Sequence, residues 1–294
     1  MDMTTPAAPR DLAALRERLG VTSIPRRKDT FTLATWNIRE FGKTPRKDRS
    51  IAIIAEVLRA FDLTAIIELR DNLGDLRRTL ALLPHHEAIF SEAVLDQGGN
   101  RERIAYLFDR RRITFTGLAS HITPPREKKG GEYVPPVSWW RPPYAASFRA
   151  RHVDFVLVAA HVRYGLRVSD RAIELALLAD WAKRYALSPN AVDRDLVLLG
   201  DFNIPSLKSS LFDAVTQTGF EMPKCLEGVH GTNLAANKRY DQLLVLPGGE
   251  TRFTGTGGAL NFVARGKSGL IRVPKERFTF EVSDHLPLWA ELAA

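Results

Sequence analysis

The chain has 294 residues, 45% apolar and 26% charged, with 42 Lys and Arg against 34 Asp and Glu for a net charge of +8. These proportions exclude a disordered chain, and 20 Gly and 17 Pro scattered without a period exclude a collagen-like rod. No run approaches the roughly 18 consecutive apolar residues of a membrane helix, and a single cysteine, Cys225, allows no internal disulfide.

In chain order, Leu12, Leu15 and Leu19 fall at helical spacing before Gly20, and Arg26-Arg27-Lys28 follow. Residues 1–28 are therefore expected to form a helical, basic extension docked on a main domain of residues 29–294. A strand is predicted over Phe31–Trp36, where β-branched and aromatic residues fit a pleated surface. Ser50 is a candidate helix cap, with Ile51, Ile54, Ala55 and Leu58 on one face. Leu63–Leu69 is a short apolar strand. Ile104–Phe108 and Ile113–Thr116 read as a hairpin across the turn Arg110-Arg111-Arg112.

Thr123–Pro143 holds three Pro-Pro pairs, Gly130-Gly131 and the basic run Arg126–Lys129, which predicts a long loop. Val153–Ala160 is a continuous apolar strand. Ser169 is a candidate cap for a helix burying Leu175, Leu178, Ala179 and Ala182. Strands over Leu196–Leu199, Leu243–Leu246 and Leu286–Leu292 complete the set. Many short strands with few helices predict α/β layers around a sheet-on-sheet core.

Polar side chains fall where these strands end. The strand from Phe31 runs into Asn37, that from Leu63 into Glu68, that from Val153 into His161, and that from Leu196 into Asp201 and Asn203; Asp284-His285 precedes the last. Strand ends converge on one rim in layered folds, and ligands bind there. Hard oxygen donors with few histidines and no thiolates suit Mg²⁺, Mn²⁺ or Ca²⁺. The isoelectric point of about 9.7 favours an anionic partner. Taken singly, Asn37, Asp201 and Asn203 equally fit turn chemistry, and His161 a buried polar group.

Together they resemble the endonuclease/exonuclease/phosphatase superfamily of metal-dependent phosphodiesterases and phosphatases. The matching segments are TWNIREFG from Thr35, IIELRD from Ile66, AAHVRYG from Ala159, LLGDFNIP from Leu198, YDQLLV from Tyr240 and SDHLPL from Ser283. Asn37-Ile38-Arg39, Glu68-Leu69-Arg70-Asp71, Glu102-Arg103 and Arg141 are similar to the deoxyribonuclease I branch. A departure is Ile67, where the family usually has glutamine.

The resemblance implies a four-layer α/β/β/α sandwich, two packed mixed β-sheets flanked by helices, as the catalytic domain over residues 29–294. It implies Glu68 as main ligand of a divalent ion, with Asn37 and Asp284 nearby and Asp201 and Asn203 holding the water or a second ion. It implies two histidine–carboxylate pairs, His285 with Asp241 and His161 with Glu102. His285 is then assigned as base and His161 as acid, with Asp201 a competitor for the base. Arg141 would contact the scissile phosphate, and Arg39 and Arg70 the flanking nucleic acid; ordinary salt bridging is the alternative for those two. Trp139 and Trp140 either stack on bases or are buried.

The leading expectation is a Mg²⁺-dependent endonuclease (Mn²⁺ or Ca²⁺ as alternatives) acting on double-stranded DNA. The alternatives are a phosphatase or phosphodiesterase on a small or lipid phosphoester, and a nucleic-acid-binding module with a decayed site. No exposed apolar element marks a membrane partner. No secretory signal is read at the N-terminus, so the cytoplasm is expected, with a non-classical export route left open. A DNA nuclease there would need restraint, by an inhibitory protein partner for example. Oligomeric state has no signal in the sequence.

Overall fold

A computed structural model describes residues 16–17, 19–93, 101–124, 126–134, 139–165, 167–249, 252–262 and 275–294. Thirteen strands are present among them: β1 (Thr30–Phe41), β2 (Leu63–Leu69), β3 (His86–Phe90), β4 (Arg103–Asp109), β5 (Ile113–His121), β6 (Glu127–Lys129), β7 (Glu132–Val134), β8 (Tyr144–Ala150), β9 (Val153–His161), β10 (Leu196–Asp201), β11 (Asp241–Val245), β12 (Phe253–Ala259) and β13 (Leu288–Ala293). The helices are α1 (Asp48–Arg59), α2 (Gly74–Ala81), α3 (Val168–Ala186), α4 (Ser210–Thr216) and α5 (Lys275–Glu281).

One sheet has the order β12-β13-β1-β2-β4-β3 and the other β11-β10-β9-β8-β5, and β6 and β7 form a separate hairpin. Strands β1 and β2 are parallel, as are β9 and β10, while the other pairs are antiparallel, so both large sheets are mixed. Alternate side chains define the layers. From β1, Phe31 and Leu33 enter the core between the sheets, whereas Ala34, Trp36 and Ile38 turn outward beneath α1. From β9, Phe155, Leu157 and Ala159 enter the same central core, and Val156, Val158 and Ala160 pack under α3. These strands are buried on both faces, which is why they read as continuous apolar runs. The result is the four-layer α/β/β/α sandwich.

Three local expectations are corrected. The segments flanking Arg110–Arg112 do not form a hairpin, because β4 pairs with β2 and β3 while β5 pairs with β8 in the opposite sheet. The short turn there carries the chain from one sheet to the other. Ser50 lies inside α1, whose cap position is Lys47, and Ser169 lies inside α3 after Arg167; neither cap residue makes a side-chain capping bond. The predicted long loop contains the β6–β7 hairpin, turned at Gly130 and Gly131, both in the left-handed region.

The basic segment before β1 is built into the body. Leu19, Val21 and Ile24 are buried in the helix-side core, while the expected helical positions Leu12 and Leu15 lie outside the described residues. Arg26 bridges the buried carboxylates of Asp62 and Asp109 at 3.1 Å each, and Arg27 reaches buried Glu291 at 3.2 Å. Removing the partner of a buried charge costs on the order of 3–5 kcal/mol, far more than an exposed pair contributes. These arginines therefore act as structural clamps. Among the described residues, no helix is long and apolar enough to cross a membrane.

His86 opens β3 with both ring nitrogens buried and, among the described residues, without a hydrogen-bond partner, and burial lowers its imidazole from 6.5 to about 4. Between those values the unfolded chain takes up a proton that the folded chain refuses, so stability falls as pH drops through this window. Denaturant titrations from about pH 7 to about pH 4 should record that loss. His86→Phe should flatten it, and an unaltered slope in the variant would count against the assignment.

Candidate active site

The parallel pairs β1/β2 and β9/β10 deliver their C-terminal ends to one edge of the sandwich. Asn37 lies on β1, and the β1–β2 register shifts just beyond it, between Asn37 and Phe41. Within this irregular stretch Glu68 takes a left-handed φ of 65°, a conformation that re-aims its side chain. In the second sheet, Asp201 is directly opposite His161 on one side and Asp241 on the other. Three candidate site side chains thus occupy one row across three strands. Gly200 makes the approach of β9 and β10 possible: its φ is 132°, and a β-carbon there would lie 2.1 Å from the carbonyl oxygen of Ala160.

His285 arrives from the segment before β13 and is secured to β1. The Trp36 indole donates to the His285 carbonyl at 2.9 Å. The Ser283 hydroxyl donates to the Asn37 carbonyl at 2.6 Å and accepts from the His285 amide at 2.9 Å. Backbone bonds thereby tie the second histidine to the strand that carries Asn37.

Asp201 is the meeting point. One of its oxygens, Oδ2, accepts from Asn37 Nδ2 at 3.0 Å and lies 3.7 Å from Nε2 of both His161 and His285. Each imidazole is held from behind by a carboxylate: His161 Nδ1 to Glu102 and His285 Nδ1 to Asp241, both at 2.7 Å. Those bonds orient both Nε2 atoms toward Asp201. Asn37 also donates to Glu68 at 2.9 Å, and the other Glu68 oxygen accepts from the Glu40 amide at 2.9 Å. An open cleft of about 310 Å³ lies over this cluster, walled by Glu68, Glu102, Asp201, Asn203, Asp284 and Arg141.

Electrostatically the cleft is rich in carboxylates. Burial alone would lower both histidines, but their carboxylates win. His285 is raised to about 10, with Asp241 first and Asp201 next among the attractive charges. His161 is also raised: burial is opposed by the hydrogen bond to Glu102, with Arg141 working against the rise. Burial raises Asp284, partly offset by His285 and Arg39.

Such a cleft invites a cation. Glu68, His161 and Asp201 each offer a ligand atom, all within 4.8 Å of one another. The Asn37 amide oxygen is buried with no hydrogen-bond partner, an acceptor that a cation would satisfy. Glu68 and Asp201 offer oxygen donors suited to a hard divalent ion; Asn37 Nδ2 faces both carboxylates, so its oxygen would join them only with the amide turned over. Asp284 shares the cleft wall but engages Arg39 at 3.2 Å. The Asn203 amide nitrogen is committed to the Val162 carbonyl at 2.8 Å, and its backbone amide donates to Asp201.

The three arginines singled out in the sequence all border the cleft or its rim. Arg141 makes a 2.8 Å ion pair with Glu102, and Arg70 stands 4.0 Å from the same carboxylate. Arg39 adds a stacking contact over the Phe280 ring at 4.2 Å. Trp139 is buried, whereas Trp140 is partly exposed beneath the Arg163 guanidinium at 3.7 Å. Tyr164 and Tyr240, which no strand-end pattern singles out, also wall the cleft. Their signal was proximity, since each falls in the same segment as His161 or Asp241.

The endonuclease/exonuclease/phosphatase family model matches residues 34–285. A protein named Deoxyribonuclease, from Thioalkalivibrio sp. (strain K90mix), is 29% identical over 270 residues, spanning 87% of this chain and 69% of that protein. Among solved structures, the human Nocturnin catalytic domain with bound sulfate superposes with a TM-score of 0.61 at 14% identity, over 92% of this chain and 96% of that one. D. rerio TDP2 complexed with single strand DNA product gives 0.60 at 13%, covering 91% and 100%. A mannosyl-6-phosphatase of Bacteroides thetaiotaomicron VPI-5482 gives 0.60 at 18%, covering 90% and 100%. At these identities the structural likeness establishes the fold alone.

Gly200→Ala should disrupt site and fold together, because its β-carbon meets backbone rather than a movable side chain. A loss of about 3 kcal/mol or more is expected by denaturant unfolding. A variant of wild-type stability would show that β9 and β10 can separate without penalty.

Proposed function

This chain belongs to the endonuclease/exonuclease/phosphatase family, and from that membership we propose that it is a divalent-metal-dependent phosphodiesterase that cuts double-stranded DNA. The observation that carries the reading is the convergence of two carboxylate-held imidazoles on Asp201 under an open cleft, 3.7 Å from the same oxygen. Hydrolysis of a phosphodiester needs one group to take a proton from water and another to give one to the leaving oxygen. A second imidazole beside the first supplies that pair of roles. The name of the 29% identical relative supports DNA as substrate, as does the net charge of +8.

A divalent ion held by Glu68 and Asp201, with Asn37 and Asp284 close by, would pull electron density from a phosphate oxygen and offset charge developing there. Mg²⁺ suits this oxygen set, and Mn²⁺ and Ca²⁺ share its chemistry.

His285 receives the proton of the attacking water at Nε2, and Asp241 stabilises the imidazolium that forms. Its proton affinity is raised chiefly by Asp241, then by Asp201 and Asp284; a cation engaging Asp201 and Asp284 would weaken their share and so favour the neutral imidazole that the base role needs. Asp201, beside both imidazoles, is the competing base. His161, oriented by Glu102, gives its proton to the leaving oxygen. Arg141, fixed in plane by Glu102, offers its remaining N–H groups to the scissile phosphate. Arg39 and Arg70 hold the adjoining backbone, and Asn203 orients Asp201 through its amide.

Nicking of supercoiled plasmid tests this. Cleavage should require a divalent ion and stop with EDTA. His161→Ala and His285→Ala should each lower the rate by about 10²–10⁴-fold. Phosphate release from small monoesters with plasmid left intact would replace the nuclease reading by a phosphatase. DNA binding without cleavage would replace it by a binding module.

A further inference from the structure

At the end of the sandwich opposite the reaction cleft, three separate turns bring basic residues together. A concavity of about 270 Å³ is walled by Lys28, Arg110, Arg111, Arg112, Arg149 and Arg151. Lys28 precedes β1, Arg110–Arg112 link β4 to β5, Arg149 lies near the end of β8 and Arg151 in the β8–β9 turn. Thr30 lines this concavity, while Asn37 underlies the reaction cleft. Seven residues of extended strand at about 3.3 Å each put the two roughly 23 Å apart.

The arginines here are paired with carboxylates, buried ones for Arg111 and Arg112 and surface ones for Arg149 and Arg110. Arg111 spends Nε and Nη2 on the buried carboxylate of Asp109, and Arg149 spends the same two nitrogens on Asp154. Arg112 reaches buried Asp62 at 2.8 Å. A guanidinium has five N–H donors, so these pairings fix its plane and leave Nη1 of Arg111 and Arg149 facing outward. Both side chains remain more than half exposed. Arg151 bonds only the Lys28 carbonyl, and neither Arg151 nor Lys28 has a carboxylate partner among the described residues.

The backbone carries an independent sign. Arg151 adopts a left-handed φ of 52° in a tight turn between paired strands, a position that favours glycine or asparagine. A local rule broken at an exposed arginine points to a role for its charge. The reaction cleft, by contrast, is walled by four carboxylates, two imidazoles and one arginine, so basic side chains are denser at the distal end.

We propose that this distal basic concavity is a second binding site for phosphate oxygens, gripping a stretch of DNA backbone away from the stretch in the reaction cleft. The inference rests on DNA being the substrate. Neutralised phosphates release counterions, so each contact steepens the salt dependence of binding.

The test uses the full chain carrying Lys28→Ala and Arg151→Gly, which leaves every buried carboxylate paired; glycine also suits the φ at 151. The thermal midpoint should therefore hold. Affinity for a duplex of several hundred base pairs, measured in EDTA, should fall about tenfold at moderate salt, and the slope of log K against log salt should flatten by about 1.8. Turnover of bis(p-nitrophenyl) phosphate with Mg²⁺ should be unchanged. Unaltered affinity and slope would overturn the proposal. Tripolyphosphate added alone distinguishes the source of phosphate: if it raises the melting temperature of the parent but not of the variant, while DNA affinity is equal in both, the ligand is a free polyphosphate and the DNA assignment fails. Plasmid nicking by the parent chain is read separately, so a failure of the nuclease reading is not confused with a failure here.

Discussion

One carboxylate oxygen organises this molecule's chemistry. Asp201 Oδ2 is reached by an amide from one sheet, by an imidazole from its own sheet, and by a second imidazole from the loop leading into the first sheet's β13. None of these neighbours is local in sequence. The cluster exists only while the two sheets stay packed through Phe31, Leu33, Phe155 and Leu157 at their centre. Protein interiors pack like organic crystals, so displacing one sheet against the other opens gaps rather than deforming smoothly. The apolar core between the sheets is thus what keeps the two imidazoles within reach of one oxygen.

Much of this was legible in the residues. Strands buried on both faces advertise themselves as apolar runs, and polar side chains at their ends stand out against that background. Asn37, Glu68, His161 and Asp201 stand out that way, and the structure brings the four side chains together. What was not legible is equally physical. The turn at Arg110–Arg112 has the length and composition of a hairpin turn, and nothing local distinguishes pairing of its flanks from crossing between sheets. Strand β8, Tyr-Ala-Ala-Ser-Phe-Arg-Ala, is poor in β-branched residues, and its place between β5 and β9 is decided by burial. Ser50 and Ser169 have good capping chemistry, yet each falls within the helix it was expected to begin. The pairing of His161 with Glu102 joins residues 59 apart and was reachable only through resemblance.

Charge is distributed with a clear polarity. Carboxylates crowd the reaction cleft, where they hold two imidazoles and three arginines in fixed orientations. Arginines crowd the far end, where Asp109, Asp62 and Asp154 pair with three of them. A net charge of +8 spread evenly would leave neither end distinctive. On the proposals made above, one end would attract a small cation and the other phosphate oxygens.

The adjacency of β1 and β13 has a consequence for biosynthesis. Asn37 and Glu68 emerge early from the ribosome, but the partner strand that brings Asp284 and His285 to them is translated more than two hundred residues later. Sheet closure must wait for that distant pairing, since non-local contacts form only after the intervening chain is available. A nascent polypeptide therefore carries Glu68 without His285, and the cluster around Asp201 is complete only once the segment before β13 has been made.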